Sequence, residues 1–467
     1  MPNPGRTSCE IRDDVDPSHR EREGSDDSEG QSARCLRGTE VHVPRITGLR
    51  CRNCGAGVPT GPSYVCAACF GPLEVAYDET AIAATLSRAA IEARPQGIWR
   101  YLELLPVEHA PAHSLPVGST PLERAGRLGE TLGLERLWLK NDSLNPTLSF
   151  KDRVVAVAAA RAVEFGFDTL ACASTGNLAG AVAAAAAAAG LRAYVFVPAD
   201  IETAKVRQAL AYGATLVPVA GTYDQINRLS LEIADEHGWA FVNVNLRPYY
   251  AEGSKTLAYE VAEQLGWRLP DVLVAPIASG SLYTKVARGF AELVRYGLVE
   301  PKDVRFVGAQ PAGCAPAANA FEAGVDRPVP VREPRTIVKS LAIGDPADGP
   351  FAVRQAWATG GSIEAVPDEA TSTAMRQVAA LEGIFTETAG GCTVAAIGRA
   401  RERGVIHPGD EVVALLTGNG MKTPEALADP ASEALFDGDE IRPGVRIPAT
   451  YDAFERWLEA REGVPAA

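Results

Sequence analysis

Lys151 stands in Asn145-Pro-Thr-Leu-Ser-Phe-Lys-Asp-Arg153, after a turn and an aromatic and ahead of an apolar helical run from Val154 to Val163. A lysine is normally a solvated charge. Among apolar neighbours and beside a second cation its amine is available in the neutral form, and a neutral amine attacks carbonyls. The chemistry this points to is an amine that holds an aldehyde. A second set of reactive side chains lies upstream, in Cys51-Arg-Asn-Cys54 and Cys66-Ala-Ala-Cys69. Two Cys-x-x-Cys knuckles at this separation let four thiolates close a tetrahedral zinc site of the ribbon type. With every position filled by cysteine, no place is left for water, so the metal expected at Cys51, Cys54, Cys66 and Cys69 is structural.

Three turns have the composition of ligand-binding junctions. Ala278-Ser279-Gly280-Ser281-Leu282 falls between an apolar strand ending at Pro276 and a helix, where backbone N–H groups and the helix dipole favour an anion. Ser174-Thr175-Gly176-Asn177 opens an alanine-rich helix, in a position that suits both N-capping and anion binding. Thr417 begins a Thr-Gly-Asn-Gly-Met-Lys turn directly after a buried strand. Arg153, Arg247 and Lys255, with Lys205 at the head of its helix, are cations available to an anionic ligand.

The elements that must position these residues alternate. After Lys151 the pattern runs strand Thr169 to Ala173, helix Leu178 to Ala189, strand Arg192 to Val197, helix Glu202 to Tyr212 and strand Thr215 to Val219. It continues with helix Tyr223 to His237, strand Ala240 to Asn243, helix Glu252 to Leu265, strand Asp271 to Pro276 and helix Leu282 to Tyr296. Such alternation predicts parallel sheets covered by helices on both faces. Regularity lapses through Gly313 to Pro334 and resumes up to the strand Glu411 to Leu416. Seven consecutive alanines, Ala183 to Ala189, predict a helix that packs at close range. One or two helices are expected between Asp78 and Leu105, and a last amphipathic helix near Tyr451 to Ala460.

The 467 residues exceed one typical domain. The expected organisation is a disordered polar tail (1–45), a zinc ribbon (46–77), a catalytic domain of two α/β lobes (78–430) and a C-terminal tail with a short helix (431–467). Asp and Glu outnumber Lys and Arg by 59 to 45, a net charge of −14. No basic patch with interleaved aromatics is present, which argues against nucleic acid as a partner. No apolar run reaches the roughly 20 residues of a membrane span, and the N-terminus lacks the order of a signal peptide. The expected location is the cytoplasm.

Asn-Pro-Thr-x-Ser-Phe-Lys-Asp-Arg resembles the cofactor-lysine motif of threonine synthases, pyridoxal-phosphate enzymes of fold type II. Gly118-Ser-Thr-Pro-Leu122, the Ser-Thr-Gly-Asn helix start, the Glu252-Gly-Ser-Lys-Thr256 segment and the Thr417 turn are similar to the family's segments, in the same order. The resemblance covers roughly Leu49 to Asp429, ribbon included. It implies a fold like tryptophan synthase β, pyridoxal 5'-phosphate on Lys151, and conversion of O-phospho-L-homoserine and water to L-threonine and phosphate. It places the cofactor phosphate at Ala278 to Leu282, its ring oxygen at Asn177 and its ring nitrogen at Thr417. A neutral hydroxyl there leaves that nitrogen largely unprotonated. The amino-acid carboxylate is assigned to Ser174 and Thr175, and the substrate phosphate to a cation left open among Arg153, Arg247, Lys255 and Lys205. The family's phosphate loop often reads Gly-Asn-x-Gly-Asn; here it is Ala-Ser-Gly-Ser-Leu, which keeps the backbone donors and changes the side chains. A homodimer is the family's habit. Two other readings share these features: a serine/threonine dehydratase or cysteate synthase-like enzyme of the same fold, and a ribbon-bearing binding protein without turnover.

Overall fold

Three antiparallel strands open the described part of the chain: β1 (Ile46–Cys51), β2 (Gly57–Val58) and β3 (Leu73–Tyr77), in the order β2-β1-β3. The computed structural model describes residues 45–174, 176–199, 203–220, 223–427, 436–437, 440–442 and 446–462. The tail expected at 1–45 lies outside the described residues except for Arg45, as does Thr175.

Strands β1 to β3 hold the Cys51–Cys54 and Cys66–Cys69 knuckles. Tyr77 at the end of β3 donates to Glu252 Oε2 at 2.8 Å, joining this small sheet to the domain behind it. Between Asp78 and Leu105 come two short helices, Glu79–Thr85 and Arg88–Glu92, each started by a side-chain cap. Asp78 accepts from the Ala81 N–H and Ser87 from the Ala90 N–H. A 3-10 segment, Ile98–Leu104, buries Tyr101.

The larger lobe is a six-stranded sheet. Its strands are β4 (Leu122–Arg124), β5 (Arg136–Asn141), β10 (Val272–Pro276), β11 (Arg305–Pro311), β12 (Ser362–Val366) and β13 (Glu411–Leu416). The order is β12-β11-β10-β13-β5-β4, parallel throughout except for the edge strand β4. The second lobe is a four-stranded parallel sheet, β8-β7-β6-β9. It is formed by β6 (Thr169–Ala173), β7 (Arg192–Pro198), β8 (Thr215–Val219) and β9 (Ala240–Phe241). Strands β6, β10 and β13 are buried along their whole length, as parallel strands covered on both faces must be.

Most expected elements are present within a residue or two. Two differ. The helix read from Glu252 to Leu265 starts at Lys255 (Lys255–Gln264), and a separate short helix, Arg247–Glu252, precedes it across a bend at Gly253. A Cβ on Gly253 would lie 2.4 Å from the Arg153 carbonyl oxygen, so the chain bends where another backbone crosses it. The stretch Gly313 to Pro334, read as irregular, contains the helix Pro316–Glu322, with proline in its first turn. The alanine-rich helix Asn177–Ala189 packs against Lys151–Glu164, the small side chains of both allowing close approach.

Candidate active site

The turn that carries Lys151 is locked from both ends. Thr147 donates to Asp152 through its backbone N–H and its hydroxyl, both at 2.7 Å. Burial pushes the Asp152 carboxyl up to about 6, with the Thr147 donors opposing. Leu148, inside this loop, sits at φ +64, a left-handed conformation uncommon for leucine. The main chain then pairs with the 417–419 turn: Phe150 N–H donates to the Thr417 carbonyl at 2.8 Å, and Asn419 N–H to the Leu148 carbonyl at 3.0 Å. Lys151 begins its helix half-buried, with Nζ 3.3 Å from the hydroxyl of Tyr250.

Sheet order supplies the other parts. Strands β10, β13 and β5 are adjacent and parallel, so their carboxyl ends share one edge of the sheet. From these ends leave the Ala278–Leu282 turn, the Thr417 turn and the segment leading to Lys151. This is where ligands bind in open α/β sheets. Gly280 takes φ +92 at the start of the 15-residue helix Ser281–Arg295, and a Cβ there would meet the Asp348 carbonyl at 2.9 Å. First-turn N–H groups of a helix have no intrahelical partner, so this cradle suits a phosphate.

The opposite lobe contributes Asn177, whose Nδ2 donates to Glu387 Oε2 at 2.9 Å. Thr417 Oγ1 lies 3.2 Å from Glu387 Oε1. Glu387 thus ties together the residues assigned to the ring oxygen and the ring nitrogen. Sequence reasoning missed it; the available signal was a lone carboxylate between threonines ahead of an apolar helix. Burial pushes its carboxyl up, opposed by the bonds from Asn177 and Thr417 and by the charges of Lys422 and Lys151. Tyr250 was missed because nothing local marks it, and Lys422, the last residue of the Thr417 turn, was given no role. Lys422 bonds to Gln208, and burial pulls its amine down. Gly418 is fixed by this crowding, because a Cβ there would sit 2.4 Å from Glu387 Oε1. Gly418→Ala is expected to cost about 100-fold in turnover, as misplacement by an ångström does; steady-state kinetics checks it.

Three of the expected substrate cations are otherwise engaged. Arg153 has no exposed surface: it binds Asp142 at 2.6 and 2.8 Å and Glu260 twice at 2.7 Å. Lys255 is equally buried, against Glu252 at 2.6 Å and Glu292 at 3.0 Å. Both are corrected from substrate ligands to framework ion pairs, because a charge buried that deeply is held by its counter-ions. Arg247 faces Asp348 at 3.0 Å. The side chain of Lys205 lies outside what is described. Ser174 is half-buried at the end of β6, its Oγ 3.3 Å from the Gly176 N–H.

The donor set fits pyridoxal phosphate. An amine, a glycine-based helix start and the Asn177–Glu387–Thr417 cluster are arranged about one sheet edge. The buried hydroxyls of Ser149 and Thr388, beside Lys151 and Glu387, have no hydrogen-bond partner. The four ribbon cysteines fit zinc: their sulfurs lie within 4.8 Å of one another, with Cys51–Cys69 at 3.5 Å and Cys54–Cys66 at 3.7 Å. Tetrahedral Zn–S bonds of about 2.3 Å place sulfurs roughly 3.8 Å apart. Zinc-loaded protein is expected to hold one ion per chain by elemental analysis, and Cys66→Ser to lose it.

A family model described as pyridoxal-phosphate dependent enzyme matches residues 113–418. Among solved structures, the processed form of threonine deaminase isoform 2 from Solanum lycopersicum superposes with a TM-score of 0.57. It is 21% identical and covers 76% of this chain and 87% of its own. Maize serine racemase gives 0.56 at 20% identity, over 73% and 93%. Fold and site together define a pyridoxal-phosphate dependent enzyme of fold type II. The threonine synthase of Methanocaldococcus jannaschii is 34% identical over 388 residues, 83% of this chain and 95% of that protein. That of Bacillus sp. is 36% identical over 329 residues, 70% and 90%. The chain belongs to the threonine synthases.

Proposed function

We propose that the protein converts O-phospho-L-homoserine and water to L-threonine and inorganic phosphate. The observation that carries this reading is the convergence of Lys151, the Gly280 helix start and the Asn177–Glu387–Thr417 cluster in a chain of this family. Pyridoxal phosphate, when bound, supplies an electron sink for charge developing at the substrate's α and β carbons. Lys151 would hold the cofactor, and its amine would take the proton from Cα and carry a proton from Cβ to Cγ. Phosphate leaves from Cγ as Cβ gives up a proton, Cγ takes a proton and becomes the methyl group, water adds its hydroxyl at Cβ, and a proton returns to Cα.

The surrounding residues orient and shield these steps. Tyr250 Oη, which accepts from the Lys151 amine at 3.3 Å, would hold that amine in place. Gly280 to Leu282 would take the cofactor phosphate, Asn177 the ring oxygen and Thr417 the ring nitrogen, with Glu387 setting both side chains. Ser174 and Thr175 are proposed for the amino-acid carboxylate. For the substrate phosphate the reading turns to Lys422, which faces Glu387 and Asp152, and to Lys205. Family resemblance supports a homodimer working in the cytoplasm, and among the described residues no helix is long and apolar enough to cross a membrane.

The test is product analysis with cofactor-loaded enzyme. Threonine and phosphate are expected in equal amounts from phosphohomoserine. Faster phosphate release from O-phosphoserine, or ammonia release from threonine as the main activity, would replace this reading with a related enzyme of the same fold.

A further inference from the structure

The first Cys-x-x-Cys knuckle reaches the phosphate turn through one side chain. Arg52, between Cys51 and Cys54, points away from the sulfurs and into the larger lobe. Its NH1 donates to Asp348 Oδ1 at 2.6 Å, and its guanidinium lies 3.6 Å from the centre of the Phe351 ring. The Arg52 main chain is itself pinned, its N–H donating to the Pro72 carbonyl at 3.0 Å. Arg247 NH2 holds the other oxygen, Asp348 Oδ2, at 3.0 Å.

Asp348 is also joined by its backbone to the turn. Its N–H donates to the Ser279 carbonyl at 2.8 Å, and its own carbonyl lies against Gly280, where a Cβ would approach to 2.9 Å. Its carboxylate is therefore clamped between two arginines while its peptide forms the floor of the turn. Arg247 starts the short helix that carries Tyr250, the partner of Lys151. Ribbon, phosphate turn and the helix of Tyr250 meet at this one residue.

We propose that Arg52 is a positioning residue for the cofactor-phosphate turn, acting through Asp348. This inference rests on the assignment of Ala278–Leu282 to the cofactor phosphate. The ribbon then does more than cap the domain, because the cysteine knuckle fixes the origin of the side chain that sets the height of Ser279 and Gly280. Loss of the ion pair frees the Asp348 peptide to shift, and the helix-start N–H groups lose alignment with the phosphate. The amine at Lys151 is untouched, so binding of the aldehyde itself is unaffected.

The experiment compares pyridoxal 5'-phosphate with pyridoxal, which carries no phosphate, by absorbance titration of cofactor-stripped full-length protein. Arg52→Met keeps the aliphatic stem over Phe351 and removes the charge. It is expected to weaken pyridoxal phosphate binding roughly tenfold, the scale of coupling between sites, and to leave pyridoxal binding unchanged. Arg52→Lys is expected to recover part of the loss. Equal weakening of both ligands by Arg52→Met, or of neither, would overturn the inference. Gly280→Ala separates it from the assignment beneath: if that variant weakens only pyridoxal phosphate and Arg52→Met does not, the role of Arg52 alone falls. If Gly280→Ala spares both ligands, the turn does not hold the phosphate and both ideas go.

Discussion

Lys151→Ala is expected to abolish the visible absorption band of the cofactor-loaded protein and to lower turnover at least about a thousandfold. In the proposed mechanism, removing the amine takes away the covalent hold on the aldehyde and the base at Cα together, and a positioned base alone contributes roughly 100- to 10,000-fold. The rest of the site does not depend on Nζ. Phe150 and Asn419 keep their backbone bonds to Thr417 and Leu148, and Glu387 keeps Asn177 and Thr417. The variant should therefore fold and retain pyridoxal phosphate non-covalently, its melting temperature near that of the parent. Spectroscopy with stopped-assay kinetics decides the matter. A variant that keeps both the band and the turnover would mean that another amine does the chemistry.

Glu260→Gln is expected to be the most damaging framework substitution, lowering stability by about 3–5 kcal/mol, as removing one partner of a buried ion pair does. Both Glu260 oxygens bind Arg153, and Oε2 also takes Lys140 at 2.7 Å. Oε1 accepts the Ser119 N–H at 2.8 Å. Arg153 is two residues from Lys151, so the loss also loosens the start of its helix. Burial alone would push the Glu260 carboxyl up, but Arg153 and then Lys140 hold it down to about 2 against an ordinary 4.5. A carboxyl held below its unfolded value stabilises the fold above about pH 4.5, and that contribution disappears as pH falls from there toward 2. Urea unfolding across this range should show the parent losing stability that the variant never had. Equal unfolding midpoints at pH 7 would contradict the assignment.

What was legible in the sequence is what local chemistry encodes. Lys151 between a proline turn and an apolar helix, the paired cysteine knuckles, and strands alternating with helices all depend on neighbours a few residues away. The knuckles bring their four sulfurs together, and the junctions after β5, β10 and β13 lie on one sheet edge. Family likeness carried the name of the reaction, since its motifs occur in order.

Tertiary structure alone decided which charges face a ligand and which hold the frame. Arg153 and Lys255 read as free cations in the linear chain, yet they are neutralised by Glu260, 107 residues away from Arg153, and by Glu292, 37 away from Lys255. Glu387 gained its place through Asn177, 210 residues distant, and Tyr250 through Lys151, 99 distant. The physical reason is that the cost of burying a charge is offset only by partners the fold delivers. A side chain's role at this site was therefore set by the strand order that brought distant segments to one edge.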